Sequence, residues 1–562
     1  MKRTIYTLLT LLTITTGSAT AQDFFWAKSM GGFGVDRSTA VVVDQQGNVY
    51  TAGTFGSSGD FDPGPGVVTF SAAGNYDIFI QKLDPAGNLL WVKQIGGIMD
   101  DVPSGMAIDA SGNIYVTGYF SDQVDFDPGA GTTQLITAGN YDAFVLKMDT
   151  NGNLAWAHRI GSTLGEFAND VAIDQSGNVF ITGLFGGTVD FDPGAGTTNL
   201  TSTGNNFYES FLLKLTNSGT FSWVKQLGGA EDEYCRALST DPTGNIYTTG
   251  YFYGTVDFDP GAGTDSHTSE GGSDVFIQKL TPAGDFVWTK TIGSTGNEYC
   301  TGVDAAVNGA VYLYGTFNDT VDFDPGAGIT SFPTIGQADA FVLKLNDSGA
   351  FVWAKQIGSP NQDFARGIVT DASGNVYLAG NIYEVTDLDP GTGTAIFSPI
   401  AQGQGAVYAE MLDASGNYQW AGVIAPNNDS YATGIALGPQ DDVHVVGSYA
   451  GTADFDPGTG VTQFSSIGNH DAFVVKLGGG VAGLSTSELP TLKAWPNPTS
   501  GEITIDLGIM NDQLDVTVMD LSGKQISSER FYSTSTVKIV LKGEPGIYLV
   551  RLGEQLLKVI KN

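Results

Sequence analysis

Histidine and cysteine are nearly missing from this 562-residue chain, which has four of the first and two of the second. So few soft ligands and thiols leave little room for a zinc centre, a thiol enzyme or a disulfide framework. Basic residues are also scarce, 25 against 60 acidic ones, for a formal charge of −35. A field of that sign repels phosphate backbones and anionic membrane surfaces, which argues against nucleic acid as a partner. After the first residues no apolar run approaches the ~18 needed to cross a bilayer, so no transmembrane segment is expected. Catalytic signatures are lacking too: there is no Gly-x-Ser-x-Gly elbow, no His-Glu-x-x-His and no Ser-x-Asp-x-Gly-x-Thr-Trp box. His158, His267, His444 and His470 fall at non-equivalent places. What is abundant is glycine, at 77, and aromatic residues, with 32 Phe, 22 Tyr and 8 Trp. That is too apolar for a disordered polymer and enough for three or four domains or one large closed repeat.

The start of the chain reads as an address. Lys2 and Arg3 precede an apolar stretch from Ile5 to Ile14 and then Gly17-Ser-Ala-Thr-Ala21, the pattern of a secretory signal peptide over residues 1–21, cleaved after Ala21. Its removal takes two basic residues and no acidic one, leaving 60 acidic against 23 basic, or −37.

Two landmarks recur in step. Asp-Phe-Asp-Pro-Gly begins at Asp60, Asp125, Asp190, Asp257, Asp322 and Asp454, with the variant Asp-Leu-Asp-Pro-Gly at Asp387, at steps of 65 or 67 residues. Trp26, Trp91, Trp156, Trp223, Trp288, Trp353 and Trp420 keep the same rhythm, so each landmark counts seven. Inside a unit the signals are those of hairpins. Gly105–Ile108 runs through Asp109-Ala-Ser-Gly-Asn113 into Ile114–Phe120, and Ala143–Met148 runs through Asp149-Thr-Asn-Gly-Asn153 into Leu154–His158. Four strands per unit and no amphipathic helix predict an all-β, seven-bladed β-propeller over residues 22–477. The chain enters with a lone Trp-type strand, Phe24–Lys28, and the last unit ends after its third strand, Asp471–Leu477. The first strand is therefore expected to complete the last blade and close the ring.

The units at Asp174-Gln-Ser-Gly-Asn-Val-Phe-Ile-Thr-Gly183 and Asp371-Ala-Ser-Gly-Asn-Val-Tyr-Leu-Ala-Gly380 resemble bacterial seven-bladed propeller repeats. The resemblance covers roughly residues 24–477 and implies a fold without implying one activity. A Gly/Ser/Thr linker follows at 478–490, and then the charge balance changes: residues 491–562 hold eight basic and eight acidic residues. Trp495-Pro-Asn-Pro-Thr-Ser-Gly501, Met519-Asp-Leu-Ser-Gly-Lys524, Pro545-Gly-Ile-Tyr-Leu-Val550 and Leu557-Lys-Val-Ile-Lys561 make this tail similar to the type A C-terminal sorting domain of the type IX secretion system. That resemblance implies a small Ig-like β-sandwich, the type IX machinery as partner, and a product released or held at the outer face of the outer membrane.

Candidate sites follow from the repeats. The paired carboxylates Asp60 and Asp62, Asp125 and Asp127, Asp190 and Asp192, Asp257 and Asp259, Asp322 and Asp324, Asp387 and Asp389, and Asp454 and Asp456 have two readings. They supply oxygen ligands suited to a hard cation such as Ca²⁺, the one cofactor the sequence suggests, or they cap a Pro-Gly turn by accepting backbone N–H groups. A second acidic series ten residues after each Trp (Asp36, Asp101, Glu166, Glu233, Glu298 and Asp363, with Ser430 last) is expected as a solvated rim around the channel mouth. A third (Asp77, Asp142, Glu209, Asp274, Asp339 and Asp471) is expected to pair on the blade surface with Lys82, Lys147, Lys214, Lys279, Lys344 and Lys476. Cys235 and Cys300 occupy equivalent small-residue slots and are expected as free thiols. The functional expectation is a secreted or surface-displayed binding or structural module with a glycan or protein ligand. The alternative is an extracellular enzyme acting on polysaccharide, whose asymmetric site would be sought in the irregular sixth unit with Asn381, Glu384, Tyr408 and Glu410.

Overall fold

The computed structural model describes residues 23–203, 208–229, 231–397, 399, 403–478, 493–495, 499, 501–519, 524–542, 546–552 and 555–561. The signal-peptide expectation lies outside these residues, as does nearly all of the expected linker. Every regular element described is a strand, and the chain divides into two compact units between residues 481 and 482.

The described residues of the first unit form seven four-stranded antiparallel meanders. One runs Arg37–Val43, Val49–Phe55, Asp77–Leu83 and Leu89–Ile95. Its middle strands are buried along their whole length, because both faces of the sheet are covered and no polar face has to alternate with the apolar one. Between the second and third strands of each meander a short two-stranded hairpin carries the Asp-Phe-Asp-Pro-Gly element, as at Gln123–Asp125 and Gln134–Ile136. Its Phe (Phe61, Phe126, Phe191, Phe258, Phe323, Phe455, and Leu388 in the variant) is fully buried.

The first strand of each meander touches the first strands of the meanders before and after it. That circuit returns from Ser430–Leu437 to Arg37–Val43. The last meander lacks a fourth strand of its own, and Phe24–Gly32 supplies it, with Trp26 opposite Lys476 and Ala27 opposite Val475. The sequence expectation about the two ends thus describes the observed pairing.

Neighbouring meanders are fastened by the Trp and Lys series together. Trp91 Nε1 and Lys82 Nζ both donate to the Thr150 carbonyl of the following unit, at 3.1 and 3.4 Å. Trp353 and Lys344 repeat this on Ala414. The turns they grip are built alike: Asp149 Oδ1 accepts the N–H groups of Asn151 and Asn153, and Gly152 sits at φ +73°, a conformation open to glycine.

In the tail, Lys493–Trp495, Glu502–Met519, Gly546–Leu552 and Gln555–Lys561 form one sheet, with Gln525–Val540 paired to Glu502–Met519. Ile503, Ile505, Val516, Val518, Val537, Ile539, Tyr548 and Val550 are among its buried residues.

Candidate functional site

The fourteen motif carboxylates occupy seven copies of one turn. In the first copy Asp60 Oδ1 accepts the N–H of Asp62 at 3.0 Å and of Val68 at 2.9 Å, while Asp62 Oδ1 accepts the N–H of Gly64 at 2.8 Å. The same bonds recur from Asp125 and Asp127 through Asp454 and Asp456. Among the described residues no group of three or more His, Cys, Asp or Glu side chains is placed to hold a metal ion.

The second acidic series is not a solvated rim. Asp36, Asp101, Glu166, Glu233, Glu298 and Asp363 are at most 1% exposed. Most are turned inward because each accepts the N–H of the residue four places earlier: Gly32 to Asp36 at 2.7 Å, Gly97 to Asp101 at 2.6 Å, Ser359 to Asp363 at 2.5 Å. The third series is buried too, and its lysines go elsewhere. Lys82 pairs with Asp44 at 3.7 Å and covers the Tyr50 ring, not Asp77. Residues five apart in a strand lie on opposite faces, which rules out the expected pairs.

The two series meet each other instead. Each third-strand carboxylate lies beside the first-strand carboxylate of the next meander: Asp77 with Asp101, Asp142 with Glu166, Glu209 with Glu233, Asp274 with Glu298, Asp339 with Asp363, and Asp471 with Asp36. Burial, reinforced by the neighbouring like charge, pushes Asp101, Glu298 and Asp363 up to about 7 and Glu233 to about 9. A glycine makes room for each pair. A Cβ on Gly96 would lie 2.3 Å from Asp77 Cγ, and one on Gly293 2.0 Å from Asp274 Cγ. At the seventh junction the acids become Ala406 and Ser430, and the glycine becomes Ala425. All three change together, as members of one packing unit would.

Cys235 and Cys300 are free, fully buried thiols, and burial pushes them up to about 12 and about 11. In the sixth unit Tyr408 meets Tyr314 in the core, Asn381 donates to the Ser430 carbonyl at 2.9 Å, and Glu410 is buried without a hydrogen-bond partner among the described residues. None of these three lies open to solvent.

An open constellation does lie at the start of the first strands. The residue after each of the six buried acids, and after Ser430 in the last unit, is Arg37, Val102, Phe167, Tyr234, Tyr299, Phe364 or Tyr431, and the five aromatic ones are half-buried. Further rings join them across unit boundaries: Tyr119 lies 5.1 Å from Phe167, and Tyr251 lies 4.8 Å from Tyr299. Two residues further on, every first strand has a one-residue bulge, at Thr39, Ser104, Asn169, Arg236, Thr301, Arg366 and Thr433. A bulge leaves the extra residue outside the ladder and re-aims its side chain. Thr39, Asn169, Thr301 and Thr433 turn theirs onto backbone carbonyls.

Arg236 and Arg366 lay theirs against the aromatic rings instead, Arg236 exposed and Arg366 half-buried. The Arg236 guanidinium lies 5.5 Å from the Tyr234 ring centre and donates to the Tyr251 hydroxyl at 3.1 Å. That of Arg366 lies 5.4 Å from Phe364 and donates to Asn381 Oδ1 at 3.4 Å. Of the four arginines between residues 22 and 478, Arg159 pairs with Asp142 at 2.7 Å. The other three are on first strands, and among the described residues no carboxylate pairs with them. Sequence reading passes over this collar because it weighs the acid and the small residue of each unit and not the position between them. Five aromatics in seven copies there were the available signal.

Comparison with known proteins defines the class first. Residues 90–119, 222–251 and 352–388 match the family model of the beta-propeller repeat, so the chain carries propeller repeats. Residues 493–562 match the secretion system C-terminal sorting domain, and the protein is thus a propeller-repeat protein with a sorting tail of the type IX secretion kind. Such a tail implies interaction with that machinery and points to secretion or attachment at the cell surface. Among the described residues no helix is long and apolar enough to cross a membrane.

Two curated relatives are similar at lower identity. An uncharacterized WD repeat-containing protein of Acanthamoeba polyphaga mimivirus is 25% identical over 78% of this chain and 37% of its own length. The regulatory protein FlaEY of Caulobacter vibrioides is 23% identical over 60% of this chain and 35% of its own. The chain thus spans about a third of either relative. Among solved structures, a fungal alcohol oxidase of the AA5 family in complex with copper aligns at TM-score 0.36 and 13% identity, covering 96% of this chain and 100% of that one. Sqt1 from Chaetomium thermophilum aligns at TM-score 0.38 and 11% identity, covering 82% and 99%. Scores this low carry no functional argument.

Proposed function

We propose that the protein is an exported binding module: a seven-bladed β-propeller over residues 22–477, closed by its N-terminal strand, that presents the aromatic collar to a ligand outside the cell. Residues 1–21 are its signal peptide, 478–490 a linker, and 491–562 an Ig-like sorting sandwich. The blade count is supported by seven meanders whose first strands touch in a closed circuit. The sandwich is supported by the alternation of buried residues along the tail strands, as at Ile503 and Ile505 or Val516 and Val518, which puts one face of each strand into a common core.

The observation that carries the binding role is the collar itself. Half-buried rings beside guanidinium groups with no carboxylate partner form a surface with hydrogen-bonding capacity left over, at the starts of first strands that contact one another from meander to meander. The test is retention of fluorescently labelled mature protein on the outer surface and matrix of its own cells. Wild type is retained, the double variant Tyr234→Ala and Phe364→Ala is lost, and Val352→Ser, on an exposed fourth-strand site, is retained like wild type. Equal retention of all three contradicts the reading.

A further inference from the structure

Resting on that reading of the collar as the binding face, we propose that its ligand is a neutral glycan. Sugar rings lie on Tyr234, Phe364 and their neighbours, and Arg236 and Arg366 donate to sugar hydroxyls.

Charge narrows the class from both sides. The field of a −35 chain disfavours a dense polyanion. The three guanidiniums on the first strands disfavour a cationic group. Two acids at this end are engaged, Asp232 accepting the Tyr208 N–H at 2.7 Å and Asp429 the Gly405 N–H at 2.9 Å, while Asp100, in the equivalent place, has its Oδ1 buried without a hydrogen-bond partner among the described residues. What is left is donor capacity beside half-buried rings, of which Tyr234 stacks one face on Tyr251 at 4.8 Å. A guanidinium is planar, with five N–H donors and no acceptor. Arg236 and Arg366 use only part of theirs on Tyr251 and Asn381. Burial pulls the Arg366 guanidinium below its usual pKa, so acceptors that replace lost water are welcome there. A ligand rich in hydroxyl acceptors and flat C–H faces, without net charge, fits these groups.

The backbone argues against an extended peptide at the same place. Peptides are commonly held by adding a strand to a free sheet edge. Here parts of the first-strand edges are taken by the neighbouring strand's side chains: Asp170 accepts the Leu238 N–H at 2.9 Å, Asp304 the Thr370 N–H at 2.6 Å, and Asn169 donates to the Cys235 carbonyl at 2.8 Å. The bulges at Arg236 and Arg366 interrupt the ladder at the positions a peptide would need.

The test is affinity electrophoresis of the mature protein in gels containing dextran, mannan or laminarin, with polygalacturonate and poly-L-glutamate in parallel. The proposal expects retardation by at least one neutral polysaccharide. Arg236→Gln and Arg366→Gln should each weaken it about tenfold or more, as hydrogen bonds from charged donors do, and Arg→Lys at either site should restore only part. Melting curves of each variant separate lost binding from lost folding. Retardation only by the polyanions, only by the polypeptide, or by no gel overturns the glycan assignment. If the cells still retain the wild type through Tyr234 and Phe364, the ligand class alone was wrong; if they do not, the binding-face reading falls with it.

Discussion

The buried carboxylate pairs make stability depend on pH in a direction opposite to that of most acidic proteins. Asp101 and Asp363 ionise near about 7 in the fold, against an ordinary 3.8. A folded pKa raised above the unfolded one gives stability that is fully present below the unfolded value and is lost as pH rises through the folded value. At ~1.36 kcal/mol per pH unit, one such carboxyl weakens the fold by about 4 kcal/mol once pH is well above 7. A unit of this size unfolds with an entropy on the order of 1 kcal/mol/K, so each site is worth about 4 °C. Glu298 and Glu233, raised to about 7 and about 9, extend the window to about pH 9. The melting temperature of the mature chain should therefore fall between about pH 5 and about pH 9. Asp101→Asn, which keeps an oxygen for the Gly97 N–H, should flatten part of that fall. A melting temperature that is level or rises over this range, or a slope unchanged in Asp101→Asn, would refute the reasoning.

Other predictions concern packing. Gly96→Ala places a methyl against Asp77 and should cost about 1–3 kcal/mol as an overpacked site. Adding Asp77→Ala should recover part of it, following the natural Ala406–Ala425 junction; additive losses in chemical denaturation would break the packing unit. Trp91→Phe removes the bond to Thr150 and should lower stability by about 1 kcal/mol, and an unchanged denaturation midpoint would count against the clamp. The turn geometry at Asp60 and Asp62 predicts equal melting temperatures in excess Ca²⁺ and in chelator. A rise with Ca²⁺ that disappears in Asp62→Asn with Asp127→Asn would assign those residues to metal instead.

Much of the body was legible because its signals are local and repeated. Asp-x-x-Gly-Asn turns need only one carboxylate, one asparagine and one glycine within five residues. The missing fourth strand after Leu477 matched the spare one at Phe24. The misreadings have a common physical cause: the sign of a charge says nothing about which groups solvate it. Asp101 is buried because Gly97, four residues back, offers an N–H. Lys82 serves Asp44 and Thr150 because strand alternation points it away from Asp77. The bulges that aim Arg236 and Arg366 leave no trace in composition, since Thr, Ser and Asn fill the same slot elsewhere. Only the ladder register reveals them.

Hydroxyl-radical footprinting of the mature protein, with and without the glycan fraction of the outer cell surface, tests the collar most directly. Protection concentrated on Tyr234, Tyr299, Phe364 and Tyr431 is the predicted result. Protection confined to the Asp-Phe-Asp-Pro-Gly hairpins, or none at all, would contradict the account.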